Sequence, residues 1–254
     1  MRVLSILLIA AALTLSLPCD LASAKLLQGA IQHAEVLPPL PEQLRPGSVY
    51  RNERDASLTV EWFRVPKWLI GQWRSDEIRT ISCDERGKGE TIKKPIVESM
   101  KSHEQFGTQY DNQGNVWSDL MFPRHNRPQE GQGFTLDQTI ISGKCMESSN
   151  SHVVLFLRTR NVRIDSQTGR IVEAFQGESI NSYSPLEGKR VLVEASNRKF
   201  DADGNPIVTT VTRNVNNFAG PFVPLPQKHG VDLRQSLSDY LKAHDHADLA
   251  PNVE

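Results

Sequence analysis

The sequence predicts an all-β protein: an eight-stranded antiparallel up-and-down barrel with a C-terminal helix and an extended N-terminal arm. Across residues 58–220, short runs rich in Val, Ile, Thr and aromatic residues alternate with turn clusters. The clusters at Asp84-Glu85-Arg86-Gly87, Asp111-Asn112-Gln113-Gly114, Asp165-Ser166-Gln167-Thr168-Gly169 and Asp201-Ala202-Asp203-Gly204 each combine an Asp that bonds turn amides with a Gly that accepts positive φ. No helical period interrupts the series, so tight hairpins make neighbouring strands antiparallel. A sandwich satisfies the same signals; the barrel is favoured because closure leaves no exposed edge.

Composition bounds the role. With 254 residues, 38% hydrophobic and 23% charged, the chain has the make-up of an ordinary globular protein. Its 29 basic and 30 acidic residues leave a net charge of -1, too weak a field to argue for nucleic acid or an anionic membrane surface as partner.

Arg2, the apolar run at 3–17, Pro18 and then Ala22-Ser23-Ala24 before Lys25 read as a secretory signal peptide over residues 1–24. The run is about fifteen residues against the roughly 20 of a membrane-spanning helix, and no later segment reaches that length, so no integral span is expected. A lipoprotein anchored through Cys19 is the rival, which Pro18 suits poorly. Cleavage after Ala24 leaves 254 − 24 = 230 residues in the periplasm or extracellular space, or in a thylakoid lumen if the source is photosynthetic. The lack of an Asn-x-Ser/Thr acceptor favours a bacterial envelope or organelle lumen over a eukaryotic secretory route.

Residues 25–57 read as a peripheral arm, helical over 26–37 until Pro38-Pro39-Leu40-Pro41, where prolines remove the amide donors. The barrel domain is 58–220, with strands at 72–83, 96–110, 116–122, 134–141, 153–164, 170–180, 190–196 and 207–215. A Pro-rich link opens the last segment, 221–254. There Asp232 and Gln235 have N-terminal capping spacing, and Leu233, Leu237, Tyr240 and Leu241 share one face of a helix over 232–244. That stripe is expected to cover the outer barrel wall, with the tail from Asp245 fraying.

The stretch Val65-Pro66-Lys67-Trp68-Leu69-Ile70-Gly71-Gln72-Trp73 resembles the Gly-x-Trp opening of lipocalins and related calycin barrels. The resemblance covers about 145 of the 230 mature residues in architecture and only Gly71 and Trp73 in letters. It implies that Gly71 permits a tight approach after a short helical turn and that Trp73 plugs the closed end. It also implies a basic residue of the last strand, here Arg213, lying over that tryptophan, and an outer helix. Other lipocalin motifs are not evident, and the arm exceeds the family's usual length.

Removal of the leader leaves Cys83 and Cys145 in a compartment that permits oxidation, so one disulfide is expected. It would close a loop of 145 − 83 = 62 residues, worth roughly 4 kcal/mol by chain entropy. Two buried free thiols are the alternative. A strict meander places the two cysteines at opposite rims, whereas a bridge needs Cα atoms within about 7 Å. Either the strand count between them is off by one, a loop folds back, or the thiols do not pair.

None of the seven histidines stands in a His-Glu-x-x-His frame, and no Gly-x-Ser-x-Gly elbow or phosphate loop occurs, so neither metal nor cofactor is expected. His244-Asp245-His246 is half a coordination shell at most and reads as tail. Asp201-Ala202-Asp203-Gly204-Asn205 opens like a calcium loop, but Pro206 and Thr212 then stand where such a loop needs Gly and Glu.

The unusual feature is residues 153–157, apolar on both faces, which continue as Arg158, Thr159 and Arg160. Pointing inward, Arg158 and Arg160 would form a cationic floor for an anionic headgroup; pointing outward, a ladder of charge pairs with Glu173, Glu178 or Glu194. The leading expectation is therefore a non-enzymatic barrel that binds a small amphipathic molecule. The alternatives are an isomerase-type enzyme using His103, Glu104 or His125 at the barrel mouth, and an envelope or lumenal assembly factor whose filled barrel meets a protein partner through the arm.

Overall fold

The computed structural model describes residues 32–51, 57–85, 96–99, 101–126, 128–131 and 133–252. The 1–24 leader with Cys19, the first half of the predicted 26–37 helix and the Arg86-Gly87 end of the first turn lie outside the described residues; residues 32–37 are not helical.

The strands are β1 (Thr59–Arg64), β2 (Gly71–Ser75), β3 (Ile78–Glu85), β4 (Ile96–Glu98), β5 (Ser102–Phe106), β6 (Gln109–Tyr110), β7 (Val116–Phe122), β8 (Arg124–His125), β9 (Gln129–Gly131), β10 (Phe134–Ser148), β11 (Val153–Asp165), β12 (Ile171–Leu186), β13 (Arg190–Phe200), β14 (Pro206–Gly220), β15 (Gln227–Lys228) and β16 (Val231–Asp232). One α-helix follows, α1 (Leu233–Ala243). In the largest sheet the order is β4-β3-β14-β13-β12-β11-β10-β8, with β2 beside β14, β5 beside β2 and β9 beside β10. A three-stranded sheet, β1-β7-β6, packs next to β10, and β15-β16 form a small ladder. Every pairing between these strands is antiparallel.

The hairpin turns form as their residues dictate. Oδ1 of Asp165 accepts the amides of Gln167 (3.0 Å) and Thr168 (2.7 Å), and Oδ1 of Asp201 those of Asp203 (2.9 Å) and Asn205 (2.8 Å). Elsewhere the predicted strands are divided. The 72–83 run is two strands, because the Ser75 hydroxyl bonds the Glu77 carbonyl (2.8 Å) and turns the chain between them. The 96–110 run is three short strands. β1 falls outside the predicted set because Trp62 and Phe63 are both buried, on opposite faces, which erases the two-residue alternation.

Directly opposed residues of antiparallel strands share a face. The register therefore assigns Trp73, Glu104, Phe218, Asn216, Val191, Val193, Tyr183 and Val153 to one side of the large sheet, called here the inner face. At one end this face is packed solid by Phe63, Val65, Leu69, Trp73, Phe106, Val116, Leu155 and their neighbours. Outside β1 and β7, the helix buries Leu233, Leu237 and Leu241 completely against Trp62, Trp117 and Met121, about 1.5–3 kcal/mol for each leucine. Its cap is the predicted one: Asp232 accepts the Gln235 amide at 2.9 Å.

The described part of the arm is docked on the outside of the sheet. Leu40 and Leu44 pack with Val162, Ile171 and Ala174 on the outer face of β11 and β12. Backbone bonds fasten it, Leu37 N to Gly204 O (2.9 Å), Leu40 N to Ala202 O (2.7 Å) and Gly47 N to Ile171 O (2.7 Å). An added Cβ on Gly204, whose φ is +88°, would collide with the Leu37 carbonyl. Consequently Ala174, Gln176, Glu178 and Ile180, facing outward, are buried, whereas Phe175, Gly177 and Ser179, facing inward, are only half-buried. The inner face is apolar at its packed end and half-exposed along β12.

Cys83 and Cys145 are both free thiols rather than a disulfide. Each points to the inner face, but Cys83 lies on β3 opposite Thr210 and Cys145 on β10 opposite Leu155, with β14, β13, β12 and β11 between the two strands. Among the described residues no helix is long and apolar enough to cross a membrane.

Candidate functional site

Past the packed end, the inner face borders a concavity of about 610 Å³ between β5, β8 and the β10–β14 strands. Amides and hydroxyls dominate its wall because alternate positions of these strands carry them. Asn126 Nδ2 donates to Gln138 Oε1 (2.5 Å), Gln138 Nε2 to Asn161 Oδ1 (2.8 Å), and Asn161 Nδ2 to Thr159 Oγ1 (3.0 Å). A second chain runs from Ser179 Oγ to Asn197 Oδ1 (2.7 Å) and Asn181 Oδ1 (3.2 Å). Leu136, Ile140, Leu157 and Phe175 supply apolar patches among them.

At the border with the packed end sits Glu104. The pairing of β5 with β2 sets Glu104 opposite Trp73 and so turns its carboxyl inward. The Tyr183 hydroxyl donates to Oε1 at 3.2 Å and Asn216 Nδ2 to Oε2 at 2.8 Å, while Asn214 Nδ2 orients Asn216 through its Oδ1 at 2.6 Å. Phe106 packs edge-on against the Tyr183 ring, 5.0 Å between centroids. Burial pushes the Glu104 carboxyl above the ordinary carboxylate range, against the hydrogen bonds from Tyr183 and Asn216. Burial, reinforced by the neighbouring carboxylate, holds the Tyr183 phenol well above its usual value, so Tyr183 stays a proton donor. Chemically the cluster is a carboxyl of raised proton affinity with two fixed donors, open to the cavity on one side.

Arg124 stands on the opposite rim, brought inward by its pairing with Ile140. Its Nε is buried and has no hydrogen-bond partner.

Arg158 and Arg160 do not line this cavity. They are on the outer face, where Arg158 pairs with Glu178 (2.6 Å) and Arg160 lies between Thr139 and Gln176. The Glu178 carboxylate also accepts the Ala34 amide (2.8 Å) and faces His33 (3.5 Å), so these charges fasten the arm. Gly71 begins β2 with φ +137°, and a Cβ there would lie 2.6 Å from the Phe218 ring and 2.8 Å from the Gly220 carbonyl. Trp73 is buried at the packed end, its Nε1 bonded to the Leu69 carbonyl (2.8 Å). The ring beside it is Phe218, edge-on at 5.5 Å; Arg213 is on the outer face, paired with Glu194. His103 projects outward opposite Arg74, and His125 lies 3.6 Å from Asp137 on the arm side.

Of the three groups named in the sequence as acid-base candidates, only Glu104 reaches the cavity. Tyr183, Asn216 and Arg124 carried no local signal, being single polar residues in strands. Among the described residues, no group of three or more His, Cys, Asp or Glu is placed to hold a metal ion.

Comparison with models of protein families, with curated proteins and with solved structures finds no match to this chain.

Proposed function

We propose that this is an exported binding module that holds a small amphipathic molecule in the cavity on the inner face, with Glu104 as the polar group at its deep end. What carries the reading is the wall itself: a concavity of about 610 Å³ in which hydrogen-bonding amides alternate with Leu136, Ile140 and Phe175. A side-chain-filled interior would have argued for an assembly factor, and the arm whose leucines such a factor would offer to a partner is docked on its own sheet. Export rests on the 1–24 leader, with the periplasm, the extracellular space or a thylakoid lumen as destination; N-terminal sequencing of the mature protein should begin at Lys25.

The reading includes closure of the sheet into a lipocalin-like barrel. Two links favour it: the Thr108 amide bonds the Trp117 carbonyl at 2.8 Å, tying the β5–β6 end to β7, and Ser148 Oγ bonds the Arg64 carbonyl at 2.6 Å, tying β10 to β1. Kinship to the lipocalins rests on Gly71 and Trp73 alone.

The test is NMR of labelled protein against a library of small hydroxylated compounds. Saturable shifts at the side-chain amides of Gln138, Asn161, Asn181 and Asn197 are expected; shifts confined to the outer face, or none, would overturn the reading.

A second reading, an isomerase-type enzyme, is favoured by the Glu104–Tyr183–Asn216 cluster, a base of raised proton affinity beside a fixed donor. It predicts deuterium wash-in from heavy water into the α-carbon of a bound ketone, lost in Glu104→Gln. Absence of wash-in with a ketone that demonstrably occupies the cavity would remove it.

A further inference from the structure

The cavity's charges do not balance around Arg124. Of the other charged residues at its edge, Glu178 is paired with Arg158 and Lys199 with Glu173 at 2.8 Å, while Arg198 is held through hydrogen bonds to the Ala34 carbonyl (3.1 Å) and Thr209 Oγ1 (3.0 Å). Arg124 has neither kind of partner among the described residues, and its Nε is sealed from solvent without an acceptor. A guanidinium is never deprotonated in a protein, so the Arg124 charge on the cavity wall stays uncompensated until an anion is brought to it. A ligand that carries an anion into the cavity supplies the missing partner.

We propose that Arg124 is the anion subsite of the cavity and that the natural ligand carries a carboxylate, which accepts from the cavity-facing side of the Arg124 guanidinium while its apolar body lies along Leu136, Ile140 and Phe175. This deepens the cavity-binding reading and rests on it. A carboxylate rather than a phosphate is the fitting anion because one uncompensated cation balances one negative charge. Asn126 and Gln138 on the same wall already spend donors within their own hydrogen-bond chain, and among the described residues no α-helix borders the cavity to serve a dianion. Glu104 lies elsewhere on the same wall, where it meets the ligand's hydroxyl end; burial raises its proton affinity, which lessens its repulsion of an acidic ligand.

The experiment follows the Arg124 Nε–H resonance in full-length mature protein titrated with 4-hydroxyphenylacetate, with tyrosol, its neutral counterpart bearing CH2OH in place of the carboxylate, and with inorganic phosphate. The acid should move that resonance saturably and bind at least tenfold tighter than tyrosol, an advantage that Arg124→Gln removes and Arg124→Lys partly keeps. Equal binding of acid and tyrosol at the cavity amides would overturn the anion subsite while leaving the cavity reading intact. Preference for phosphate would overturn the carboxylate assignment. An Arg124 signal unmoved by any of the three at millimolar concentration would overturn the proposal without requiring a variant to fold, and silence of the cavity amides as well would take the cavity reading with it.

Discussion

The Tyr183 hydroxyl reaches Glu104 Oε1 at 3.2 Å across 79 positions of sequence, joining a long hairpin strand to a short strand of five residues. Neither residue does anything chemically distinctive alone. Together, at the point where the packed core gives way to the cavity, they make a carboxyl whose proton affinity is set by burial against the hydrogen bond from Tyr183.

The hydrogen bond from Tyr183 lowers the proton affinity of Glu104 and burial raises it, so Tyr183→Phe should move the Glu104 titration further upward. Carboxyl 13C shifts followed against pH measure this directly. The linkage has a definite sign: a carboxyl whose folded value exceeds its unfolded value contributes stability below the unfolded value and loses it as pH rises through the folded one. Glu104→Gln should therefore gain stability relative to the native chain as pH rises, read as urea midpoints at successive pH values. A Glu104 titration unmoved by Tyr183→Phe would contradict the contact.

His33 docks the arm as a neutral ring. Burial lowers its proton affinity, the Arg198 guanidinium lowers it further, and Glu178 opposes both; Arg158 is the other charge facing this cluster. A folded value below the unfolded one means that the undocked arm binds more protons, so docking weakens as pH falls below about 6.5. Amide exchange at Leu37 and Leu40 should accelerate on acidification, and His33→Gln should flatten the response. Acceleration on raising the pH instead would refute this assignment.

Gly71→Ala places a Cβ against both the Phe218 ring and the Gly220 carbonyl at a φ that L-residues avoid, and should cost about 1–3 kcal/mol. Gly204→Ala meets the Leu37 carbonyl and should instead release the arm, speeding proteolysis there while largely sparing the sheet. Urea unfolding and limited proteolysis separate the two effects.

Burial pushes the Cys145 thiol up to about 12, so it should resist alkylation by iodoacetamide at pH 8 in the native state and react once unfolded. Mass analysis of the non-reduced mature protein should find both thiols free; a native Cys83–Cys145 bridge would have to join β3 to β10 across the four strands that separate them.

Much of the fold was legible locally. Asp111 forms its predicted turn, its Oδ1 accepting the amides of Gln113 (2.9 Å) and Asn115 (2.8 Å) with Gly114 at φ +79°, because turn chemistry is set within five residues. The Asp232 cap and the leucine stripe of α1 were legible for the same reason. The inward placement of Arg158 and Arg160 was not decidable, since alternation tells which residues share a face but not which face is covered. Here the arm covers the outer one, so buried charges on β12 mark a docking seam and not a pocket.

The sequence by itself determined strand-rich character, the hairpin turns, the capped helix and Gly71-x-Trp73, all products of short-range sterics, hydrogen bonding and period. Only the tertiary structure decided that Glu104 meets Tyr183 and Asn216, that Arg124 stands without a partner, that Phe218 rather than Arg213 lies beside Trp73, and that the two cysteines stay apart. Those outcomes depend on strand register between segments far apart in the chain, and a shift of one residue in that register would send every one of these side chains to the other face.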